Sequence, residues 1–166
     1  SLFSAFWQFE TPARHHPNVR ATATEVAKVT TMIKALIVDQ ADDNSLSASI
    51  REIEASQLPD DGEVDIEVEY STINYKDGLC LNGLGRLVRN YPHVPGIDLA
   101  GTVISSRANG IVAGDRVTMN GFRSGEIRWG GYATQANGKA EWIVKLPDGM
   151  STRHSQMLGT AGFTAM

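Results

Sequence analysis

The sequence predicts a mainly β domain, a small barrel of short strands with short helices between them. The clearest observation is the alternation of apolar and polar residues over 64–73, because a period of two is typical of a half-buried strand. Turn-forming residues separate this run from the apolar runs before it, at Asp42-Asp43-Asn44 and at 58–62. Short apolar runs separated by turns recur along the chain, and 166 residues suffice for one hydrophobic core.

The other elements follow from the same signals. Residues 91–96 are predicted to be extended, because a residue that precedes a proline is disfavoured in the helical region. Residues 76–81 predict a short helical turn and 121–131 a long loop. The predicted strands are 33–38, 46–53, 64–73, 99–105, one entered through the turn 112–117, 132–137 and 142–145.

Residues 151–166 predict helix. Ser151 can cap a helix that runs to about Leu158. Gly159 interrupts this helix, and a second helix is predicted to begin at Thr160 or Thr164. Compact domains seldom end inside a nascent helix, so we expect a truncated chain in which 151–166 connects the β domain, 32–150, to a further domain that is absent.

Residues 1–31 form a leader or extension, which we expect to be poorly ordered. The segment begins with four large aromatic residues, lacks a clean period and is rich in Thr and Ala near its end. Three interpretations remain open: an organelle transit segment, a non-native leader ahead of a true start at Met32, or an aromatic docking segment. The adjacent histidines His15 and His16 have no third ligand and are interpreted as a polar loop.

Composition excludes several classes of function. The net charge of −4 argues against a nucleic-acid partner, which favours a basic face. No run approaches the roughly 20 apolar residues of a membrane span, so no membrane partner is expected. Cys80 is the one cysteine, which excludes an internal disulfide and a thiolate zinc cage and fits a cytoplasmic location. We interpret Cys80 as a small hydrophobic residue.

Four segments carry the candidate site. They are Asn74-Tyr75-Lys76-Asp77, 95–103 with Gly114-Asp115-Arg116-Val117 after it, 129–132, and 159–166. In these segments the sequence resembles the medium-chain dehydrogenase/reductase superfamily, in its zinc-free quinone oxidoreductase type and its acrylyl-CoA reductase or YhdH-like branch. The resemblance covers about 32–166. It implies a GroES-like catalytic barrel followed by a Rossmann domain that binds NADPH, with the active site between the two.

The resemblance also implies a metal-free site. Zinc-dependent members carry a cysteine near the position of Asn74, a histidine-glutamate pair and a loop of four cysteines, and this sequence has none of them. A catalytic zinc needs about three protein ligands. We therefore expect no metal and a catalyst that relies on organic groups alone.

Reduction of an enoyl thioester or a quinone creates an enolate-like oxygen, which fixed hydrogen-bond donors must stabilise. The candidate catalytic residues are Tyr75, Asn74 and Lys76, which offer a hydroxyl, an amide and a cation. The resemblance places Tyr75 first, donating to the substrate oxygen or contacting the nicotinamide ribose. It also places Thr160 and Gly159 beside the nicotinamide. The alternative for Tyr75 is a core tyrosine whose hydroxyl is satisfied by backbone.

Other charged residues have two interpretations each. Asp98 stands in an apolar run and needs a partner, for which Arg116 is the candidate. Lys76 and Asp77 are either a solvated pair at the start of a helix or functional groups. Loop arginines could meet the phosphates of CoA or simply be solvated; they are Arg86, Arg89, Arg123 and Arg128.

Three functions compete on this evidence. The first is an NADPH-dependent reductase whose small-molecule substrate is acrylyl-CoA or a related acyl-CoA. The second is an NADPH quinone oxidoreductase of the same fold. The third is a non-catalytic GroES-like binding module. A homodimer is expected only for a full-length protein, through the domain that is absent here.

Overall fold

The computed structural model describes residues 7–8 and 31–166. Within them are eight strands and two helices, together with two 3₁₀ turns at Ala55–Gln57 and Ala140–Trp142. The strands are β1 Trp7–Gln8, β2 Met32–Gln40, β3 Leu46–Glu54, β4 Val64–Ser71, β5 Asp98–Ser106, β6 Arg116–Asn120, β7 Gln135–Gly138 and β8 Val144–Lys145. The helices are α1 Tyr75–Leu81 and α2 Thr152–Ala165.

The main sheet is antiparallel and is centred on β4 and β5. Its strand order is β1-β4-β5-β6-β8, and β7 pairs with the first half of β4, on the same edge of β4 whose last residues pair with β1. β2 and β3 form a separate hairpin. Two isolated bridges, Ala35 to Ala133 and Val38 to His93, tie the hairpin to the rest of the domain. The mainly β class predicted from the sequence is confirmed.

The core follows from the alternation in β4. Val64, Ile66 and Val68 are buried on one face of the strand, and Glu67 between them is exposed. Each such aliphatic side chain contributes about 1.5–3 kcal/mol when fully buried. The remaining members of this cluster come from β5, β6, β7 and one loop: Leu99, Val103, Ile111, Val117, Met119 and Ala136. A second, smaller cluster lies under the hairpin and comprises Ala35, Ile37, Val94, Tyr132 and Ala133.

The structure shortens three of the predicted strands, of which β4 ends at Ser71 and not at residue 73. β7 begins at Gln135 because Tyr132 and Thr134 donate backbone hydrogen bonds to Pro95 and Lys34, outside the ladder with β4. Trp142 ends a 3₁₀ turn, so β8 is only two residues long. Phe122 stacks on Trp142 with ring centroids 5.7 Å apart. Strand position was predictable from periodicity, whereas these ends depend on contacts with distant loops.

Helix α2 has the cap and the interruption that the sequence predicts. The Oγ of Ser151 accepts a hydrogen bond from the backbone N–H of His154 at 3.1 Å. Gly159 has φ 49° and ψ −167°, so the helix kinks there and resumes at Thr160. The first half docks through Thr152, whose hydroxyl donates to Glu69 on β4 at 2.6 Å.

Of the N-terminal segment 1–31, the structure describes Thr31 and the short strand Trp7–Gln8. This short strand pairs with the end of β4, with Trp7 opposite Ser71 and Gln8 opposite Tyr70. The other residues of 1–30, including His15 and His16, lie outside the described residues. The three interpretations of that segment concern those residues and stay open. Among the described helices, none is long and apolar enough to cross a membrane.

His93 is a buried histidine whose titration should lower stability in mild acid. Its side chain is 2 % exposed, and Nε2 lies 2.8 Å from the carbonyl oxygen of Gly125, to which it donates. Burial lowers the pKa of His93 below 6.5, against the opposing effect of this hydrogen bond. A folded-state pKa below the unfolded value means that stability is present above about pH 6.5 and is lost as the pH falls towards the folded pKa.

We therefore expect the free energy of unfolding to fall between pH 7 and pH 5, with His93 contributing a slope of at most about 1.4 kcal/mol per pH unit. Urea unfolding at the two pH values measures it, and His93→Gln should show the smaller fall. His154→Gln is the control, because His154 is exposed. Equal slopes in wild type and His93→Gln would contradict the assignment.

Candidate active site

Asp98 joins the first candidate loop to helix α2. It is the first residue of β5, and its side chain is fully buried. Oδ2 accepts hydrogen bonds from Asn74 Nδ2 at 2.9 Å and from the backbone N–H of Thr160 at 2.7 Å. Oδ1 accepts the hydroxyl of Thr160 at 2.6 Å. The carboxylate thus fixes Asn74 and Thr160 relative to each other, although they are far apart in the sequence.

The kink at Gly159 brings α2 onto this carboxylate. A Cβ at Gly159 would lie 3.0 Å from Asp98 Oδ2 and 2.9 Å from Thr72 Cγ2, and the φ of 49° disfavours any side chain. After the kink, the backbone N–H of Thr160 points at Asp98. The first N–H groups of a helical segment have no partner within it, and the carboxylate of Asp98 accepts this one at the start of the second half of α2. The absent side chain of Gly159 therefore makes room for Asp98.

The predicted ion pair between Asp98 and Arg116 is wrong. The strand register places Asp98 opposite Asn120, whereas Arg116 lies opposite Thr102, at the other end of the β5–β6 pairing. No cation lies within salt-bridge distance of Asp98 among residues 31–166. Amide and hydroxyl donors take the place of the cation, which is how a buried carboxylate can be accommodated.

Asp77 is a second buried carboxylate, and its interpretation as a solvated surface group is wrong. Its Oδ2 accepts the N–H of Asn74 at 2.8 Å, and its Oδ1 accepts the N–H groups of Gly96 and Ile97 at 3.1 and 3.0 Å. Burial raises the pKa of Asp77, and these hydrogen bonds oppose the rise. Asp77 thereby fastens the start of α1 to the segment that leads into β5.

Tyr75 stands in the first turn of α1 with its side chain 83 % exposed. Its hydroxyl forms no hydrogen bond with any residue that the structure describes. The alternative of a core tyrosine does not apply to it. Tyr132 is the buried tyrosine of this region, and its hydroxyl donates to the carbonyl of Thr72 at 3.2 Å. Burial, with Asp77 nearby, raises the pKa of Tyr132.

Lys76 contacts Glu126. Its ammonium lies 2.9 Å from Glu126 Oε1, and the Glu126 side chain is only 6 % exposed. Arg123 lies 3.8 Å from the other oxygen of Glu126. The charge of Lys76 is therefore largely balanced by Glu126, a buried acid that needs a cation. Lys76 would have to keep this ion pair while it took part in catalysis.

A cleft of about 510 Å³ lies along the second half of α2. Thr160 and Gly159 are at its edge, and Tyr75 is not among the residues that line it. Its walls are mostly apolar: Val144, Leu146, Pro147, Met150, Leu158, Phe163 and Met166. Because the N–H and hydroxyl hydrogen of Thr160 are both donated to Asp98, its side chain can only accept a hydrogen bond from a ligand here.

The remaining candidates divide between structure and open surface. Arg128 donates to Asp61, stacks over Trp142 at 4.8 Å and is only 12 % exposed, so it has a structural role. Arg86 and Arg89 are exposed. Cys80 is buried, which raises the pKa of its thiol to about 11. Over the described ranges, no group of three His, Cys, Asp or Glu side chains could hold a metal ion.

Sequence reasoning missed the central role of Asp98 and the burial of Asp77. A carboxylate within an apolar run did indicate that Asp98 needs partners, but not which ones. The spacing of Asn74 and Asp77 was the available signal for the second acid. An acid at the third position of a helix often accepts the N–H of the residue before the helix, as Asp77 does here.

The fold and this site define a GroES-like domain of the kind found in alcohol dehydrogenases. The family model for the alcohol dehydrogenase GroES-like domain matches residues 60–148, and the chain belongs to that family. The superfamily resemblance inferred from the sequence, to medium-chain dehydrogenases/reductases, is confirmed.

Among curated relatives, the chain is 51 % identical over 136 residues to acrylyl-CoA reductase AcuI from Ruegeria pomeroyi. That match covers 81 % of this chain and 41 % of the relative. Among solved structures, it is similar to the yhdH oxidoreductase from Salmonella enterica in complex with NADP, with TM-score 0.75, 45 % identity and coverage of 80 % and 40 %. Bacillus subtilis yhfP with NAD bound gives TM-score 0.76, 41 % identity and coverage of 82 % and 41 %. The chain thus spans about two fifths of the length of these relatives.

Proposed function

We propose that this chain is the catalytic domain of a zinc-independent medium-chain reductase that uses NADPH to reduce an activated double bond, in acrylyl-CoA or a related enoyl-CoA. In this proposal 32–150 is the catalytic domain, and 151–166 leads into a cofactor-binding domain. The similarity to acrylyl-CoA reductase AcuI supports the substrate class. The similarity to a structure in complex with NADP supports the cofactor, although yhfP has NAD bound.

One observation carries the proposal: the buried carboxylate of Asp98 holds Asn74 and Thr160 together, while neighbouring Tyr75 is left exposed with a free hydroxyl. A structural tyrosine would be expected to satisfy its hydroxyl within the fold. A rigid support that positions a donor is the arrangement that stabilises charge in a transition state.

The residues of this chain then have distinct roles. The hydroxyl of Tyr75 donates to the substrate oxygen as negative charge develops on it. Asn74 has one amide hydrogen on Asp98 and can direct the other towards the same oxygen. Lys76 is held by Glu126, and its ammonium group has further N–H donors that it can offer to the substrate.

The cofactor fits the edge of this site in one specific way. When bound, NADPH supplies the hydride. Thr160 can hold the nicotinamide carboxamide by accepting its amide hydrogen, since its own donors are occupied. Gly159 contributes by placing Thr160, and Tyr75 could alternatively contact the nicotinamide ribose. The apolar cleft of α2 can cover a flat ring without leaving polar groups unpaired.

The test is the oxidation of NADPH, followed by absorbance, in a protein extended to the full length of its relatives. Acrylyl-CoA and a quinone are compared in one assay, which separates the proposal from its alternative, an NADPH quinone oxidoreductase. The quinone alternative is supported by the similarity to the putative quinone oxidoreductase YhfP. No oxidation with either substrate would leave a non-catalytic GroES-like module. NADPH titrated against the 166-residue chain should show little binding. Tight binding would contradict the proposal that most contacts with the cofactor are made by the cofactor-binding domain.

Tyr75→Phe should lower kcat with acrylyl-CoA by about 100-fold in the extended protein, because it deletes one donor to the developing oxyanion. Stability should change by less than about 0.5 kcal/mol, since the hydroxyl is exposed and unpaired. Tyr70→Phe is the matched control and should keep wild-type kcat. A Tyr75→Phe protein with unchanged kcat would remove Tyr75 from the mechanism.

A further inference from the structure

A second cavity, of about 600 Å³, lies away from the cleft beside α2. One wall is the turn of the β2–β3 hairpin, with Gln40 and Asn44. The other wall is the segment that follows α1, with Asn82, Arg86 and Arg89. Every polar side chain in its lining is neutral or basic, and no carboxylate lines it.

The two arginines of this cavity differ from most others in the domain. Arg51, Arg107, Arg123 and Arg128 each lie within 4 Å of a carboxylate. Within the described part of the chain, Arg86 and Arg89 have neither an ion pair nor a side-chain hydrogen bond. Two unpaired guanidinium groups at one cavity create a local positive potential in a chain whose net charge is −4.

The walls are held in shape by unusual backbone. Arg86 has φ 50°, and Gly83 and Gly85 on the same segment have φ 65° and 70°. A left-handed conformation at a residue with a long side chain costs about 1 kcal/mol and tends to be retained at functional sites. A Cβ at Gly83 would lie 2.6 Å from Leu46 Cδ1, so the segment is packed directly against the hairpin.

The carbonyl end of α1 adjoins the same cavity and would repel an anion if its oxygens were free. They are partly covered. Asn82 Nδ2 donates to the carbonyl of Gly78 at 2.8 Å, and the N–H of Leu84 donates to the carbonyl of Leu79 at 2.8 Å. The two arginines therefore dominate the electrostatics of the cavity.

We propose that this cavity binds a phosphate or diphosphate group of an organic ligand, with Arg86 and Arg89 as the charged donors. The guanidinium group presents paired N–H donors that match phosphate oxygens. Leu81, at the end of α1, lines the cavity, and Tyr75 is the first residue of the same helix. At 1.5 Å per residue, the two are about 9 Å apart along the helix axis. The further step, that the cavity recognises the anionic end of an elongated substrate that reacts near Tyr75, rests on the proposed function; phosphate binding itself does not.

Calorimetric titration of the 166-residue chain with sodium pyrophosphate tests the site. We expect binding that weakens as salt rises, and a loss of affinity of at least about tenfold in Arg86→Gln/Arg89→Gln. The matched control is Lys34→Gln/Arg116→Gln, which removes two exposed cations outside the cavity and should bind as wild type does. No binding to wild type, or equal binding to both double variants, would overturn the proposal.

Titrations with coenzyme A, pantetheine and NADP⁺ then identify the source of the phosphate. If the Arg86/Arg89 substitutions weaken the binding of coenzyme A and leave that of NADP⁺ unchanged, the cavity is assigned to an acyl-CoA. If they weaken the binding of NADP⁺ and leave that of coenzyme A unchanged, the cavity is assigned to a dinucleotide. Pantetheine has no phosphate and should not bind, and equal binding of pantetheine and coenzyme A would overturn the proposal. None of these titrations depends on hydride transfer, so their failure leaves the reductase assay unaffected.

Discussion

Gly101→Ala should destabilise the domain by at least about 3 kcal/mol, a large part of the stability of a typical domain. Gly101 lies in the middle of β5, opposite Val68 of β4. A Cβ there would lie 1.9 Å from the carbonyl oxygen of Glu67 and 2.8 Å from its carbonyl carbon. Both are backbone atoms, so no rotamer change can relieve the overlap, and the two central strands of the sheet must separate.

Chemical unfolding followed by tryptophan fluorescence measures the loss. Gly78→Ala is the matched control, because a Cβ at Gly78 meets nothing within 4 Å. Gly78 lies inside α1, where alanine is favoured over glycine, so this control should gain up to about 1 kcal/mol. The same Gly→Ala substitution is thus expected to lower stability at Gly101 and to raise it at Gly78. Wild-type stability in Gly101→Ala would mean that the β4–β5 pairing differs from the one described.

Local chemistry predicted the elements well. The alternation in 64–73 placed β4, and the cap at Ser151 with the break at Gly159 placed both halves of α2. These features depend on neighbours within a few residues, which the sequence displays directly. The same holds for α1, although its first residue is Tyr75.

Contacts between distant segments were beyond such reasoning. Arg116 was the candidate partner for Asp98, but the register between paired strands decides which residues face each other. The actual partners, Asn74 and Thr160, lie 24 and 62 residues away from Asp98. They supply amides and a hydroxyl, and no compositional signal distinguishes these from any other polar residues.

The candidate site shows the same division. Tyr75, Asn74 and Lys76 were selected as a group, but their surroundings separate them. Tyr75 is exposed and unpaired, Asn74 is held by an acid, and Lys76 is paired with Glu126. Packing decides which of these three adjacent residues remains free for a ligand, because each buried acid takes the donors that lie beside it. Asp98 takes Asn74 and Glu126 takes Lys76, which leaves Tyr75.

Asp98→Ala should lower the free energy of unfolding by about 3 kcal/mol or more, because it leaves three donors without their acceptor. These donors are the Asn74 amide, the Thr160 N–H and the Thr160 hydroxyl. A buried carboxylate without a cation is costly in itself, so its removal would be stabilising if the donors could turn to water. They cannot all do so, since the Thr160 amide is fixed by the kink at Gly159 and faces the β5 strand.

Two measurements separate this role from a general loss of stability. Hydrogen exchange at the Thr160 amide should accelerate in Asp98→Ala well before global unfolding, because the second half of α2 loses its attachment. Asp98→Asn keeps the shape and one acceptor oxygen, so it should lie between alanine and wild type. Asp148→Ala, at an exposed position, should match wild type in both stability and exchange. Unchanged Thr160 exchange in Asp98→Ala would show that α2 is held elsewhere, and the support proposed for Asn74 and Thr160 would then have to be abandoned.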